Sequence, residues 1–233
     1  MHPSIESSVD DIMKAQWDIT DGRTVPKTED IVMRNGGRLL NATYVYADLG
    51  DSSKIAKKKQ PPKLFALMFS ATRILRNFGG EIRSFDGDRV MAIFVGENML
   101  WSAVRSAFAI NWAVSEVIRP AIKKNWSDGE DFYNISHRVG VDTGESLIVR
   151  GGARNNNDLI SVGAAPNVAA KLSDLKDGYS TYITDRVFDE LSDNLLYYES
   201  EGLQKSTWQK LPSSLSVGGK AVAVYGSNVY WGL

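Results

Sequence analysis

The dipeptide Asp86-Gly87 sits between two short β-type runs, Ile82–Ser84 and Val90–Phe94, and that arrangement predicts a tight hairpin. A helical pattern lies on each side of it. Pro61–Phe78 places Leu64, Leu67, Met68, Ala71, Leu75 and Phe78 on one stripe and stops at Gly79-Gly80. Met99–Ile122 repeats Leu100, Val104, Ala107, Ile110, Val114 and Val117 at the same spacing. A Tyr-, Val- and Thr-rich strand, Leu39–Leu49, precedes the first helix, and Ser136–Val149 follows the second with two strands expected around Asp142–Glu145. The order β-α-β-β-α-β predicts an α+β fold with a split βαββαβ, ferredoxin-like core.

The rest of the chain arranges itself around that core. Met1–Arg38 is polar and weakly periodic and reads as an N-terminal arm or helical cap, leaving 39–233 as one domain. Gly151–Asp158 (GGARNNND) reads as a polar loop and Leu159–Val162 as a short apolar run. Pro166–Leu175 reads as a helix with proline in its first turn. Tyr182–Thr184, Val187–Leu191 and Ala221–Tyr225 predict C-terminal α/β additions.

Composition narrows the function. With 27 basic and 28 acidic residues the net charge is −1, which does not suit a nucleic-acid-binding surface. There are no cysteines, so disulfides, thiolate metal sites and cysteine nucleophiles are excluded. No apolar run approaches membrane-spanning length, and Met1–Asp10 lacks the basic and apolar regions of a signal peptide. A soluble, cytoplasmic protein with no nucleic-acid or membrane partner is expected.

Two aspartates border the predicted strands. Alternation puts Tyr44, Tyr46 and Asp48 on one face and Val45, Ala47 and Leu49 on the other. The second set is uniformly apolar and is expected to meet the helices, leaving the Tyr/Asp face towards an open site. Asp48 runs into Gly50-Asp51-Ser52-Ser53, a turn able to aim N–H groups and hydroxyls at phosphate oxygens. Taken alone, Asp48 serves equally as a cap for the next element, and Asp88 equally as a turn residue. A βαββαβ core would set the two side by side, where paired carboxylates can hold two divalent cations for phosphoryl transfer.

The blocks YADLGDSS, GGEIRSFDGDRVMAIF, HRVGVDTGES and VGAAPNVAAKL, in that order, resemble the class III nucleotide cyclases, the adenylate and guanylate cyclase catalytic domain, over roughly Ala42 to Asp185. The resemblance implies that Asp48 and Asp88 bind two Mg²⁺ or Mn²⁺ ions, with the Leu49 carbonyl as a backbone ligand. It implies that Asn167 orients the ribose, and that Lys171 takes the place of an arginine on the transition-state phosphate. Lysine keeps that charge but not the bidentate fork. The same resemblance implies a head-to-tail homodimer in which the aspartates and the Asn/Lys pair of one site come from opposite subunits.

Adenylate cyclases read adenine with a lysine where this chain has Ser84, and with an aspartate or threonine where it has Ile160. Guanylate cyclases place an acidic residue at the first of these positions. Ser84 and Ile160 suit neither purine, because a site built for hydrogen bonds discriminates through the groups it leaves unpaired. Tyr46 and Ile160 are bulky enough to narrow a base pocket, which points to a pyrimidine ribonucleoside triphosphate.

The chain is also similar to the pyrimidine cyclases of the Pycsar anti-phage systems. That implies conversion of UTP, or second CTP, to a cyclic monophosphate that activates a downstream effector. An atypical adenylate cyclase and a catalytically inactive, nucleotide-binding or dimerising cyclase-like domain are the competing expectations.

Overall fold

The computed structural model describes residues 4–48, 50, 61–125, 135–153 and 156–233. The N-terminal segment holds α1 (Ile5–Lys14) and β1 (Asp18–Asp21). The core follows as β2 (Gly36–Asp48), α2 (Pro61–Asn77), β3 (Glu81–Asp86), β4 (Arg89–Phe94) and α3 (Met99–Trp112). A π-helical turn, Ala113–Ile118, carries α3 into α4 (Arg119–Asn125). Next come β5 (Arg138–Ala153), β6 (Asn156–Gly163), α5 (Ala164–Ser173) and β7 (Thr181–Thr184). Two short helices, α6 (Asp185–Phe188) and α7 (Asp193–Leu196), lead to β8 (Tyr197–Ser200), β9 (Leu203–Ser206), β10 (Gln209–Val217) and β11 (Lys220–Ser227).

The main sheet runs β10-β11-β7-β5-β2-β4-β3, with β1 parallel to the start of β2 and β6 antiparallel to the end of β5. Its β5-β2-β4-β3 portion, crossed by α2 and α3, is the expected split βαββαβ core. Val45 and Ala47 of β2 are fully buried with Val90, Ala92 and Phe94 of β4, Leu75 of α2 and Val104 and Phe108 of α3. Each fully buried valine, leucine or phenylalanine among them contributes about 1.5–3 kcal/mol. A slip of one residue would turn Val45 and Ala47 away from the helices, so this layer fixes the register.

The opposite face departs from expectation. Tyr44 does not line an open site; it is fully buried with Leu40, Ala42, Met91 and Ile148 beneath Ala165 and Ala169 of α5, and its hydroxyl is hydrogen-bonded to Ser146. The cause is the close seating of α5 on β5 at Gly140. A Cβ there would overlap the Ala169 carbonyl oxygen, and the Leu172 Cβ lies only 2.7 Å from the same point. Only Tyr46 and Asp48, nearer the strand end, stay half-buried.

Three boundaries also differ. Ser136–Val149 forms no pair of strands but part of the single strand β5, because β2 pairs with it without a break from Gly37↔Val149 to Asp48↔Arg138. Within the stretch expected as a loop, Gly151–Asp158, residues 151–153 and 156–158 pair as the outer part of the β5–β6 hairpin, as far as Ala153↔Asn156, and 154–155 lie outside the described residues. The hairpin turn is Gly87-Asp88 rather than Asp86-Gly87, since Asp86 pairs with Arg89 and Gly87 takes φ +62° at the first central position. Asp88 therefore sits at the tip of the turn. Within the N-terminal segment, α1 buries no residue, whereas Ile31 joins the core under α5. No helix among the described residues is long and apolar enough to cross a membrane.

Candidate active site

Asp48 ends β2 with a basic residue opposite it on each neighbouring strand, Arg89 on β4 and Arg138 on β5. The Arg89 guanidinium Nη2 lies 3.8 Å from Asp48 Oδ2 and 2.6 Å from Asp174 Oδ1. Asp48 is nonetheless held above the usual carboxylate range, by burial first and then by the neighbouring Asp88 carboxylate; Arg89 and Arg138 pull the other way. The fold thus brings Asp48 and Asp88 within electrostatic reach of each other.

A divalent cation between two such carboxylates would relieve their repulsion, so the donor set fits the expected metals. Among the described residues no cluster of three or more acidic or histidine side chains could hold a metal. Mg²⁺-like ions take one or two carboxylates and complete their shell with water and substrate phosphate oxygens, a demand that Asp48 and Asp88 match.

Gly50 is buried against the start of β5, where a Cβ would lie 2.5 Å from Ser136 Oγ and 3.3 Å from Arg138 Nη1. Glycine at that position lets the chain turn over Arg138. Leu49, Asp51, Ser52 and Ser53, expected as a backbone ligand and phosphate contacts, lie outside the described residues.

Tyr46 and Ser84 come to one face. Met91 of β4 pairs with Tyr46 on one side and Ser84 on the other, so all three project the same way. Two strand spacings put Ser84 and Tyr46 about 10 Å apart. A bulge between Ile82 and Ser84 re-aims this end of β3. Burial raises the Tyr46 phenol above its ordinary pKa, while Arg89 lowers it.

Ile160 lies elsewhere in the chain. It is half exposed on β6 opposite Val149, eleven residues along β5 from Arg138. At strand rise that is roughly 36 Å from the Asp48 end. Ile160 and Tyr46 can line one pocket only if a second copy supplies one of them.

Asn167 and Lys171 are exposed on α5, four residues apart and so on one face of the helix. Neither has a hydrogen-bond or ion-pair partner among the described residues. Both groups are presented outward. The end of α5 is tied back to the aspartate hairpin through Asp174 and Arg89.

Sequence reasoning missed Arg89, Arg138 and Asp174. Arg89 and Arg138 were within reach of a register argument, since both stand directly opposite Asp48; Asp174 left no local signal.

This carboxylate-bearing hairpin, in this sheet order, defines the catalytic-domain fold of class III nucleotide cyclases. The chain superposes on a bacterial light-regulated adenylyl cyclase with a TM-score of 0.67 at 21% identity, covering 84% of this chain and 54% of that one. The chain thus spans about half the length of that protein. For the adenylyl cyclase CyaB from P. aeruginosa the TM-score is 0.66 at 18% identity, covering 82% of this chain and 95% of that one. No family model matches. A uridylate cyclase from Rhodovulum sp. (strain MB263) is 37% identical over 226 residues, covering 93% of this chain and 94% of the relative. The chain belongs to the uridylate cyclase family.

Proposed function

We propose that this protein is a pyrimidine nucleotide cyclase that converts UTP, with CTP as second choice, to the 3′,5′-cyclic monophosphate and pyrophosphate. The observation that carries the reading is the half-buried Asp48 beside Asp88, with Tyr46 two residues earlier on the same face. Kinship with the Rhodovulum uridylate cyclase supports the choice of base.

Asp48 and Asp88 hold two Mg²⁺ or Mn²⁺ ions in this proposal. When bound, those ions acidify the ribose 3′-hydroxyl and neutralise the triphosphate. The 3′-oxygen then bonds to the α-phosphorus as the bond to the β-bridging oxygen breaks, and the hydroxyl proton passes to water. Arg138, opposite Asp48, supplies positive charge where the phosphates lie. Tyr46 limits the depth available to the base, and Ser84 borders it from β3.

Asn167 and Lys171 reach the site from a second copy in a head-to-tail homodimer, Asn167 on the ribose and Lys171 on the α-phosphate. Their outward presentation on α5 supports this, as does the distance from Ile160 to Tyr46 within one chain. As an ammonium, Lys171 supplies a point charge rather than a fork. Residues 39–233 form the catalytic domain and 1–38 an appended arm. In the cell we place the enzyme in the cytoplasm, where its cyclic nucleotide serves as an antiviral signal to an effector protein.

The decisive test incubates the protein with ATP, GTP, CTP and UTP in Mn²⁺ and identifies the products by mass. Cyclic UMP as the dominant product is expected. A clear preference for ATP or GTP would overturn the pyrimidine reading.

A further inference from the structure

A second polar cavity, of about 370 Å³, opens beside the start of β5. It is bounded by the π-helical turn and α4, by the segment between α5 and β7, and by the C-terminal residues. Arg119, Arg138 and Lys176 all line it, and no acidic side chain is among its described lining residues. Tyr46, Ser84, Asp88, Asn167 and Lys171 take no part in it.

At its wall lies His137, only 5% exposed, with neither ring nitrogen hydrogen-bonded. A buried histidine that serves packing alone would have a partner for its ring nitrogens. A buried donor left unpaired is costly, and nearby positive charge does nothing to satisfy it. Burial first, then Arg119 and Arg138, lower this imidazole to about 3, so the ring is neutral and offers one N–H and one acceptor nitrogen. Arg119 is oriented by donating through Nε and Nη2 to the Ile135 carbonyl, which fixes its guanidinium at the rim.

Three cations line the cavity around an unpaired buried donor, with Asp48 opposite only one of them and Glu116 held by Tyr230, and make a concave field that attracts anions. We propose that this cavity is a second anion site, taking a phosphate-class ligand: inorganic phosphate, pyrophosphate, or the phosphate of a nucleoside monophosphate. The cations bind its oxygens and the His137 N–H donates to one of them. Arg138 forms the wall between this cavity and Asp48, so occupancy draws on the guanidinium that faces the carboxylate. That coupling to turnover rests on the cyclase reading above; the binding itself does not.

The test uses the full chain in EDTA, which keeps metal-bound phosphate out of the Asp48/Asp88 site. Phosphate, pyrophosphate and UMP are titrated separately by calorimetry, and the tightest binder identifies the source of the phosphate. One anion per chain is expected, weakened about tenfold or more by Lys176→Glu at an exposed, fold-neutral position. Asp88→Asn should bind as the wild type does. His137→Phe, which removes the unpaired N–H, should also weaken binding. Absence of binding by all three probes up to roughly 1 mM would overturn the proposal. So would binding that survives both Lys176→Glu and His137→Phe, since that anion would lie outside this cavity.

Discussion

Arg89 Nη2 lies 2.6 Å from Asp174 Oδ1, and this contact fastens the strand after the aspartate hairpin to the last turn of the helix that bears Asn167 and Lys171. In the proposed head-to-tail dimer the hairpin would serve one site and the helix the other, and the pair would bridge the two. Asp174 is 56% exposed, and an ion pair of that kind adds at most about 1 kcal/mol to stability. Asp174→Asn should therefore melt within a few degrees of wild type. If the tether positions the reacting groups, kcat should fall about fivefold with little change in KM. Unchanged kcat would show that the contact is structural only.

Asp48→Asn or Asp88→Asn should reduce turnover by about three orders of magnitude or more, because each removes a proposed metal ligand. The metal-free variants should remain folded. Asp48→Asn should melt no lower than wild type in EDTA, since the charge it removes is half-buried and beside Asp88. Mg²⁺ or Mn²⁺ should raise the wild-type melting temperature and leave these variants unmoved. Wild-type-like activity in either variant would end the metal assignment.

Mixing two inactive proteins tests the shared site. Asp48→Asn chains and Lys171→Ala chains should each be nearly inactive alone, and their mixture should recover activity as heterodimers assemble one intact site. Recovery of up to about a quarter of wild-type activity is expected from random pairing of equal amounts, where half the dimers carry one good site. A mixture no more active than its components would place all four groups in one chain. Lys171→Arg should keep activity or raise it, because the fork replaces a point charge.

Asp142 offers a pH signature away from the catalytic groups. It is fully buried on β5, accepts a 2.6 Å hydrogen bond from Thr184 Oγ1 and is paired with Arg186. Burial outweighs both partners and pushes its carboxyl up to about 6, from 3.8. Its folded pKa lies above the unfolded one, so the protonated form favours folding and that contribution is lost as pH rises through this window. Urea unfolding of wild type and Asp142→Asn from pH 4 to 7 should show the wild type losing stability relative to the variant, on the order of 3 kcal/mol at most. A constant difference across that range would refute the assignment.

Much of the fold was legible because its signals are local. The α2 stripe ended where Gly79-Gly80 said it would, at Asn77, and β4 began one residue before its pattern, whereas the single helix expected over Met99–Ile122 is α3, a π-helical turn and α4 in succession, ending at Asn125. The hairpin was correct and its turn was displaced by one residue, because an Asp-Gly pair marks a turn without saying which two residues occupy its centre. The long β5 was read as two strands because Asp142–Glu145 is polar by composition; pairing with β2 on one side overrides that composition.

The sequence by itself determined the order of the βαββαβ core elements and singled out Asp48 and Asp88, since periodicity, turn glycine and alternation act over a few residues. Only the tertiary structure decided what surrounds those aspartates. Arg89 and Arg138 reach Asp48 through strand register, Asp174 reaches Arg89 from 85 residues away, and Tyr44 is sealed by a helix seated on Gly140. Such neighbours are set by how distant strands and helices pack, and no local pattern encodes that.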